Sequence, residues 1–292
     1  MIKDLEVLLP TCTMINEPDL LRITIKAWMI ARFSSINRVD KITLYKSRKG
    51  RSCTREADIL KKLLIYYKTP PYLKKKVHGR SEELKYVGLA PPLQIPTHNV
   101  SSKPLEGEER EALVVRKRGI KLVLDAGFPN LLEALDYEKR YSKGDIVLVR
   151  VVSEDPPKIE LVGEPQVYRG YNVSFTEDLV EYVESNKDRY WIATSRRGRA
   201  SWKYVGLITS MIEEKSGRVS VVMGEPYRGI FEIGRELGFE PQLLFDDVLN
   251  FIPEQGTKSV RVEEALGISL SILRFLDSSV FGVQGKRSEI TK

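Results

Sequence analysis

The chain has 292 residues, of which 42% are hydrophobic and 30% are charged. This composition indicates a globular protein with one large domain or two modest ones. We expect no membrane span, because no apolar run reaches about 20 residues, and no signal peptide. Lysine and arginine outnumber aspartate and glutamate by 47 to 40, a formal charge of +7. This surplus favours a polyanionic partner, although many basic proteins bind nothing acidic.

Cysteines and histidines are few. The two cysteines, Cys12 and Cys53, cannot build a disulfide framework, which suits a reducing cytoplasm. The two histidines, His78 and His98, have no ligand-like spacing to either cysteine. The sequence therefore predicts a cytoplasmic protein without a metal site.

The first 73 residues alternate between strands and helices. Residues 5–9 and 39–45 are typical of strands, and helices are predicted from Pro18 to Phe33 and from Thr54 to Tyr67. The helical period of the first is carried by Leu21, Ile25, Trp28, Met29 and Arg32. This strand–helix order favours a parallel sheet.

The character of the chain changes after Thr69. Residues 74–110 are rich in proline and glycine and resemble a linker. Short strand-like runs follow within residues 111–167: ALVVRK, GIKLVL, DIVLVRVV and KIELVG. Four or five short strands in so short a segment favour a small β-barrel, either OB-like or SH3-like.

The alternation of strands and helices returns after residue 167. In chain order we predict a strand over 171–175, a helix over 176–186, strands over 190–194 and 219–223 around a helix over 202–213, a helix over 226–237, a strand over 248–252 and a helix over 262–276. Residues 1–73 and 168–281 are therefore predicted to form one discontinuous α/β domain. Residues 74–167 would be inserted in it, and residues 282–292 would be a polar tail.

The most specific stretch follows the last predicted strand. It reads N-F-I-P-E-Q-G-T-K-S-V-R-V-E-E-A-L over residues 250–266, a polar loop between an apolar strand and an apolar helix. Pro253 fixes one backbone angle, and Gly256 permits conformations that other residues avoid. Such a loop in an α/β sheet is a common place for a small ligand to bind.

This stretch resembles the cofactor loop of the SPOUT, or α/β-knot, RNA methyltransferases, and within them the RNA uridine-N3 methyltransferases. Residues 5–10, 86–89, 192–198 and 221–226 fit the same pattern in order, so the resemblance spans nearly the whole chain. It implies a trefoil-knotted α/β domain with an inserted OB-like barrel, acting as a homodimer. It also implies S-adenosylmethionine as the methyl donor, with S-adenosylhomocysteine as product.

The resemblance also implies the cofactor-binding residues. They are Thr194, Arg197, Gly224, Asn250, Ile252, Gln255, Gly256 and Thr257. Two positions depart from the usual pattern: Met223 stands where the family often has phenylalanine, and Glu225 where many relatives have a small residue. Glu225 could therefore be a distinctive acid or base, or a side chain that points to solvent.

Arg197 and Glu264 are the predicted catalytic residues. Arg197 fits the family pattern T-S-x-R-G, which places it near the methionine part of the cofactor or the target base, where it could stabilise an anionic base. Arg261 and Glu264 form either a structural ion pair or part of the target-base pocket. The general base stays open among Glu225, Asp246, Asp247 and Glu264.

Basic residues in three clusters are the candidate RNA contacts, because arginine and lysine pair with phosphates. The clusters are Arg196 with Arg199; Arg48, Lys49 and Arg51; and Arg116, Lys117 and Arg118. Tyr137, Tyr141, Tyr168 and Tyr171 could stack on single-stranded bases. Solvated basic loops and packed tyrosines are the plainer alternatives.

Together these features predict methyl transfer to RNA, most plausibly ribosomal RNA, at N3 of uridine or pseudouridine. One alternative is a non-catalytic RNA-binding or ribosome-assembly protein that keeps the fold. Another is an unrelated nucleotide-using α/β enzyme, which is disfavoured because no predicted strand is followed by a P-loop or G-x-G-x-x-G motif.

Overall fold

A computed structural model describes residues 1–50, 53–98 and 101–277. The chain divides into two compact units, one formed by residues 1–64 and those from 171 onward, the other by residues 65–170. The predicted tail, residues 282–292, lies outside the described residues. In the part that is described, no helix is both long and apolar enough to cross a membrane.

The strands and helices follow one another along the chain as predicted in outline. The strands are β1 (Asp4–Pro10), β2 (Lys41–Tyr45), β3 (Glu109–Arg118), β4 (Lys121–Asp125), β5 (Leu132–Leu135), β6 (Ile146–Glu154), β7 (Pro157–Leu161), β8 (Asn172–Thr176), β9 (Tyr190–Ala200), β10 (Arg218–Val222) and β11 (Asp247–Asn250). The helices are α1 (Leu20–Ile36), α2 (Thr54–Lys68), α3 (Pro71–His78), α4 (Leu179–Glu184), α5 (Val205–Glu214), α6 (Ile230–Leu237), α7 (Pro241–Leu244) and α8 (Val262–Leu276).

The first unit is built on a parallel sheet, which confirms the prediction. Its strand order is β11-β9-β10-β1-β2-β8, and every pair runs parallel. The inner strands are largely apolar because a parallel sheet is covered on both faces, although Glu6, Thr43 and Ser220 are buried among the apolar residues. Leu5, Val7, Leu8 and Leu9 of β1 are all fully buried.

Several helices begin later than predicted. Asp19 and Asp178 accept hydrogen bonds from Arg22 N and Glu181 N, so these N-caps set the starts of α1 and α4. The helix predicted from Pro226 starts at Ile230, and the one predicted from Trp202 is a 3-10 turn as far as Tyr204.

The buried face of α1 also differs from the prediction. Ile25 is 44% exposed, whereas Lys26, Ala27, Ile30 and Ala31 are buried. The predicted face was wrong because Lys26 turns inward to bind two carboxylates, and the helix is rotated away from Ile25.

The second unit contains an antiparallel sheet of strand order β5-β4-β3-β6-β7. Strands β3, β4 and β5 are consecutive neighbours and β6 returns beside β3, which is Greek-key order. The edge strands β5 and β7 contact each other, so the sheet is nearly closed. This confirms a small barrel. Part of the predicted linker is the helix α3, which starts at Pro71, where a proline suits the first turn.

His98 should make the second unit sensitive to acid. Burial lowers its pKa from 6.5 to about 4, and its Nε2 lies 2.6 Å from the carbonyl oxygen of Lys68. Between pH 6.5 and 4 the unfolded chain therefore binds a proton at His98 that the folded protein does not bind. The free energy of unfolding falls over this range as the pH drops, by at most roughly 3 kcal/mol. Urea unfolding of wild type and His98→Gln across this range should show the loss in wild type and a smaller one in the variant. Equal losses would contradict this assignment.

One disulfide joins Cys12 to Cys53, with their Cα atoms 5.2 Å apart. The expectation that the two cysteines would not pair was wrong. They are separated by 41 residues, and only the fold brings the end of β1 beside the start of α2.

Candidate functional site

Three segments of the first unit meet at one edge of its sheet. Strands β11, β9 and β10 are neighbours and parallel, so their carboxyl ends lie side by side. Thr194 lies in β9 just past its last pair with β10, Asn250 ends β11, and Gly224 follows β10. This edge is the usual ligand-binding position of an open parallel sheet.

The residues after Thr194 were predicted as a loop, but β9 continues to Ala200. Its pairing with β11 shifts register at Val248, after which Leu249 lies opposite Arg199. Gly198 makes the close approach possible, since a β-carbon there would lie 2.7 Å from Val248 O. The predicted basic loop is therefore an irregular strand end, held against the last strand.

The segment from Asn250 to Thr257 is shaped by its own polar side chains. Asn250 Oδ1 accepts from Ile252 N at 2.9 Å, and Asn250 Nδ2 donates to Arg196 O at 3.1 Å. Gln255 Nε2 donates to Thr257 O at 2.8 Å. These side chains fix the backbone, which is the part of such a loop that can hold a ligand's polar edge.

Gly256 stands apart in this loop. A β-carbon at this position would meet no heavy atom within 4 Å, and its φ lies outside the left-handed region. The fold of the chain therefore does not itself require glycine here. The open space beside Gly256 is consistent with a ligand that would occupy it.

The segment after β10 is anchored by Glu225, whose side chain is fully buried. Arg48 Nη2 donates to Glu225 Oε2 at 2.6 Å, and Arg228 Nη2 donates to Ser47 O at 3.0 Å. The bond to Glu225 raises the pKa of Arg48 above its ordinary value. Glu225 is therefore neither a solvent-facing side chain nor an unengaged base; it ties the Gly224 turn to the end of β2.

Arg197 lies half-exposed beside α6. Its Nη2 is 2.6 Å from Glu232 Oε1, and its guanidinium lies 4.4 Å from the centre of the Phe231 ring. It lines a cavity of about 360 Å³ with Gly198, Gln242 and Phe245. The described lining of that cavity includes neither Gly224 nor residues 250–257, and Arg197 is the one predicted cofactor residue in it.

The four candidate general bases are all engaged in structural contacts. Glu264 Oε2 accepts from Arg261 N at 2.9 Å and caps α8. Asp246 Oδ2 accepts from Trp191 N at 2.8 Å. Asp247 Oδ2 accepts from the hydroxyl of Tyr190 at 2.5 Å. With Glu225 paired as well, none is an obvious proton acceptor, and Glu264 in particular has a sufficient role as a helix cap.

The candidate RNA contacts of the first unit differ in how strongly they are held. Arg199 pairs with Asp247 and lies 4.6 Å from the ring centre of Tyr204, while Arg196 donates to Lys258 O at 3.3 Å. Arg48 is committed to Glu225. Lys49 stays a candidate RNA contact, and Arg51 lies outside the described residues.

The barrel cluster of the second unit divides in a similar way. Arg116 and Arg118 are exposed on β3. Lys117 Nζ instead donates to the carbonyl oxygen of Lys139 at 3.3 Å and lies 3.5 Å from Asp136. Lys117 therefore holds the β5–β6 connection in place.

Sequence reasoning missed a buried charged cluster at the start of α8. Lys26 Nζ lies 2.7 Å from Asn16 Oδ1, 3.2 Å from Glu17 Oε1 and 3.6 Å from Glu263 Oε2. All three charged side chains are at most 3% exposed. The available signal was a lysine on the apolar face of α1. The cluster ties α1 to the helix that follows the Gly256 loop.

Comparison with known proteins identifies the family of the chain. Residues 4–273 match a family model described as "Putative RNA methyltransferase". An uncharacterised protein of Haloarcula marismortui is 30% identical over 91% of this chain and 97% of its own length. The 28S rRNA (uridine-N(3))-methyltransferase of Homo sapiens is 27% identical over 86% of this chain and 72% of its own, and that of Mus musculus is 25% identical over similar shares. The chain therefore belongs to this family of RNA methyltransferases.

Proposed function

We propose that the protein transfers a methyl group from S-adenosylmethionine to N3 of a uridine in ribosomal RNA. The observation that carries the proposal is the meeting of Thr194, Gly224 and Asn250 at the carboxyl edge of β9, β10 and β11. The mammalian relatives, named for uridine-N3 methylation of 28S rRNA, support the choice of atom and substrate.

The cofactor would lie along the backbone of residues 250–257, with Gly224 at its opposite side. Such a placement is supported by the open space at Gly256 and by the tight turn at Gly224, where a β-carbon would lie 3.1 Å from Arg228 O. We also propose that the segment after β11 threads through the β9–β10 connection as a trefoil knot. The strand order supports a SPOUT arrangement, and the Greek-key barrel supports an OB-like insert.

The bound cofactor would supply an electrophilic methyl group, and the protein would contribute chiefly by holding the uridine in line with it. The uridine must also lose its N3 proton. Arg197 would stabilise the resulting negative charge, after exchanging its contact with Glu232 for one with the base. The structural engagement of Glu225, Asp246, Asp247 and Glu264 favours charge stabilisation over a dedicated carboxylate base.

A homodimer would place a second copy against α8. Its inner side is buried through Val262, Leu266, Leu270 and Leu273, whereas Ile268 is 40% and Phe275 61% exposed. An apolar second face on a helix favours a packing partner. An isologous contact across this face is what we propose.

Replacing Arg196 and Arg199 together by alanine should weaken RNA binding and reduce its dependence on salt. Each arginine that meets a phosphate adds about one unit to the slope of log affinity against log salt concentration, with about 0.7 expected on single strands. Fluorescence anisotropy at several salt concentrations measures the slope. Glu232→Gln, which removes an acidic side chain from the neighbouring helix α6, is the control for a general charge effect. An unchanged slope in the double variant would mean that this strand end does not meet phosphate.

The test of the reaction itself is product identification. The protein would be incubated with an rRNA transcript and isotopically labelled S-adenosylmethionine, and the digested nucleosides separated by mass spectrometry. Labelled N3-methyluridine is the expected product. A label on another atom would refute the site of transfer, and RNA binding without any label would favour a non-catalytic ribosome-assembly protein.

A further inference from the structure

A second cavity opens at the other half of the same sheet edge. Its volume is about 280 Å³, and residues at the carboxyl ends of β1, β2 and β8 line it together with α2. Among the described residues, its lining shares no member with the segments after β9, β10 and β11. It is therefore a separate site, and β1 lies between β10 and the residues of β2 and β8 that line it.

Two walls of the cavity are apolar. Leu44 of β2 lies opposite Phe175 of the edge strand β8 in register, so both side chains project to the same side of the sheet. Ala57 of α2 lines the cavity with them. Phe175 is 47% exposed, and an aromatic ring in that position is a surface on which a flat heterocycle can stack.

Thr11, which follows β1, lines the cavity with a buried hydroxyl. Thr11 is 2% exposed, and its Oγ1 has no hydrogen-bond partner among the described residues. A buried hydroxyl that makes no hydrogen bond destabilises the fold unless a bound molecule satisfies it. Thr11 adjoins Cys12, whose disulfide to Cys53 fixes this wall relative to α2.

The charges around the cavity are balanced. Lys61 and Asp58 line it from α2, and Lys46 Nζ lies 3.2 Å from Glu177 Oε2. An arrangement of two acids and two lysines does not favour a phosphate group. It suits a ligand whose edge carries both hydrogen-bond donors and acceptors, as a nucleobase does.

We propose that this cavity holds an unpaired nucleobase of the RNA substrate, stacked on Phe175 and hydrogen-bonded by Thr11. The inference rests on the proposed function for the presence of RNA. The volume of about 280 Å³ is just below that of ordinary ligand pockets, which span about 300–1,000 Å³, and suits one base better than a whole cofactor. A second base held beside the target would help to select single-stranded RNA and fix its register.

The test compares the affinity of a fluorescein-labelled oligouridine for wild type, Phe175→Ala and Thr11→Val. Loss of the stacking surface should weaken binding about five- to tenfold, and loss of the hydroxyl about threefold. Thr11→Val should melt no lower than wild type, because its hydroxyl makes no bond in the folded protein. Leu243→Ala, at an apolar position on α7 that is 82% exposed, is the control and should bind like wild type.

Unchanged affinity in both variants would overturn the proposal. So would free uridine 5′-monophosphate binding as tightly as the oligonucleotide and losing affinity in Phe175→Ala, because the cavity would then be a mononucleotide site. Binding of S-adenosylhomocysteine is measured alongside. If it is intact while the variants bind RNA normally, the cavity proposal fails alone; if it is absent in wild type, the proposed methyl transfer fails instead.

Discussion

Replacing Gly256 by valine should lower the affinity for S-adenosylhomocysteine roughly five- to 150-fold without unfolding the protein. A β-carbon there meets no heavy atom of the chain within 4 Å, so the added side chain would project into the space that we assign to the cofactor. An overpacked contact costs about 1–3 kcal/mol, and each 1.4 kcal/mol is a factor of ten. Equilibrium dialysis with labelled ligand measures the affinity, and thermal melting checks the fold.

Gly163→Val is the matched control for this change. Gly163 also has open space around its β-carbon position and a φ outside the left-handed region, but lies in the second unit. The Gly163→Val variant should bind S-adenosylhomocysteine like wild type. Wild-type affinity in Gly256→Val would remove this loop from the cofactor site.

Replacing Glu225 by alanine should destabilise the first unit strongly and disorder the Gly224 turn. Its fully buried carboxylate holds Arg48 at 2.6 Å and lies 3.7 Å from Arg228. Removing one partner of a buried pair costs about 3–5 kcal/mol, because the remaining charge is left uncompensated. Chemical denaturation should show this loss, and cofactor affinity should fall with it.

Glu232→Ala serves as the control, since its ion pair with Arg197 is half-exposed and such pairs contribute about 0–1 kcal/mol. A loss of similar size in both variants would show that the ion pair of Glu225 contributes no more to stability than a surface ion pair. Wild-type stability in Glu225→Ala would also contradict its role as the anchor of the Gly224 turn.

The sheet and the barrel were predictable because their signals are local. Apolar runs such as Leu5–Leu9 and the alternation of strands and helices indicate a parallel sheet directly. The later start of α6 was not predictable, because Glu225 N bonds to Arg228 O in a turn that a distant residue, Arg48, stabilises. The face of α1 was misjudged for the same reason, since the acids that bind Lys26 lie outside that helix.

In the candidate site, too, local signals were predictable and contacts between distant residues were not. Motif resemblance could select Gly224, Asn250 and Gly256, and the sheet order brings their segments together. It could not show that Glu264 caps α8 or that Glu225 is paired, because those contacts depend on tertiary packing. The Cys12–Cys53 bridge and the cavity beside Phe175 were missed because each joins segments far apart in the sequence.

The central claim is that the carboxyl edge of β9, β10 and β11 binds S-adenosylmethionine. Calorimetric titration of the whole chain with S-adenosylhomocysteine tests it most directly, because the product analogue needs no RNA and no turnover. We expect saturable binding of about one S-adenosylhomocysteine per chain, lost in Gly256→Val and kept in Gly163→Val. No heat of binding at millimolar ligand, with the protein folded, would contradict it.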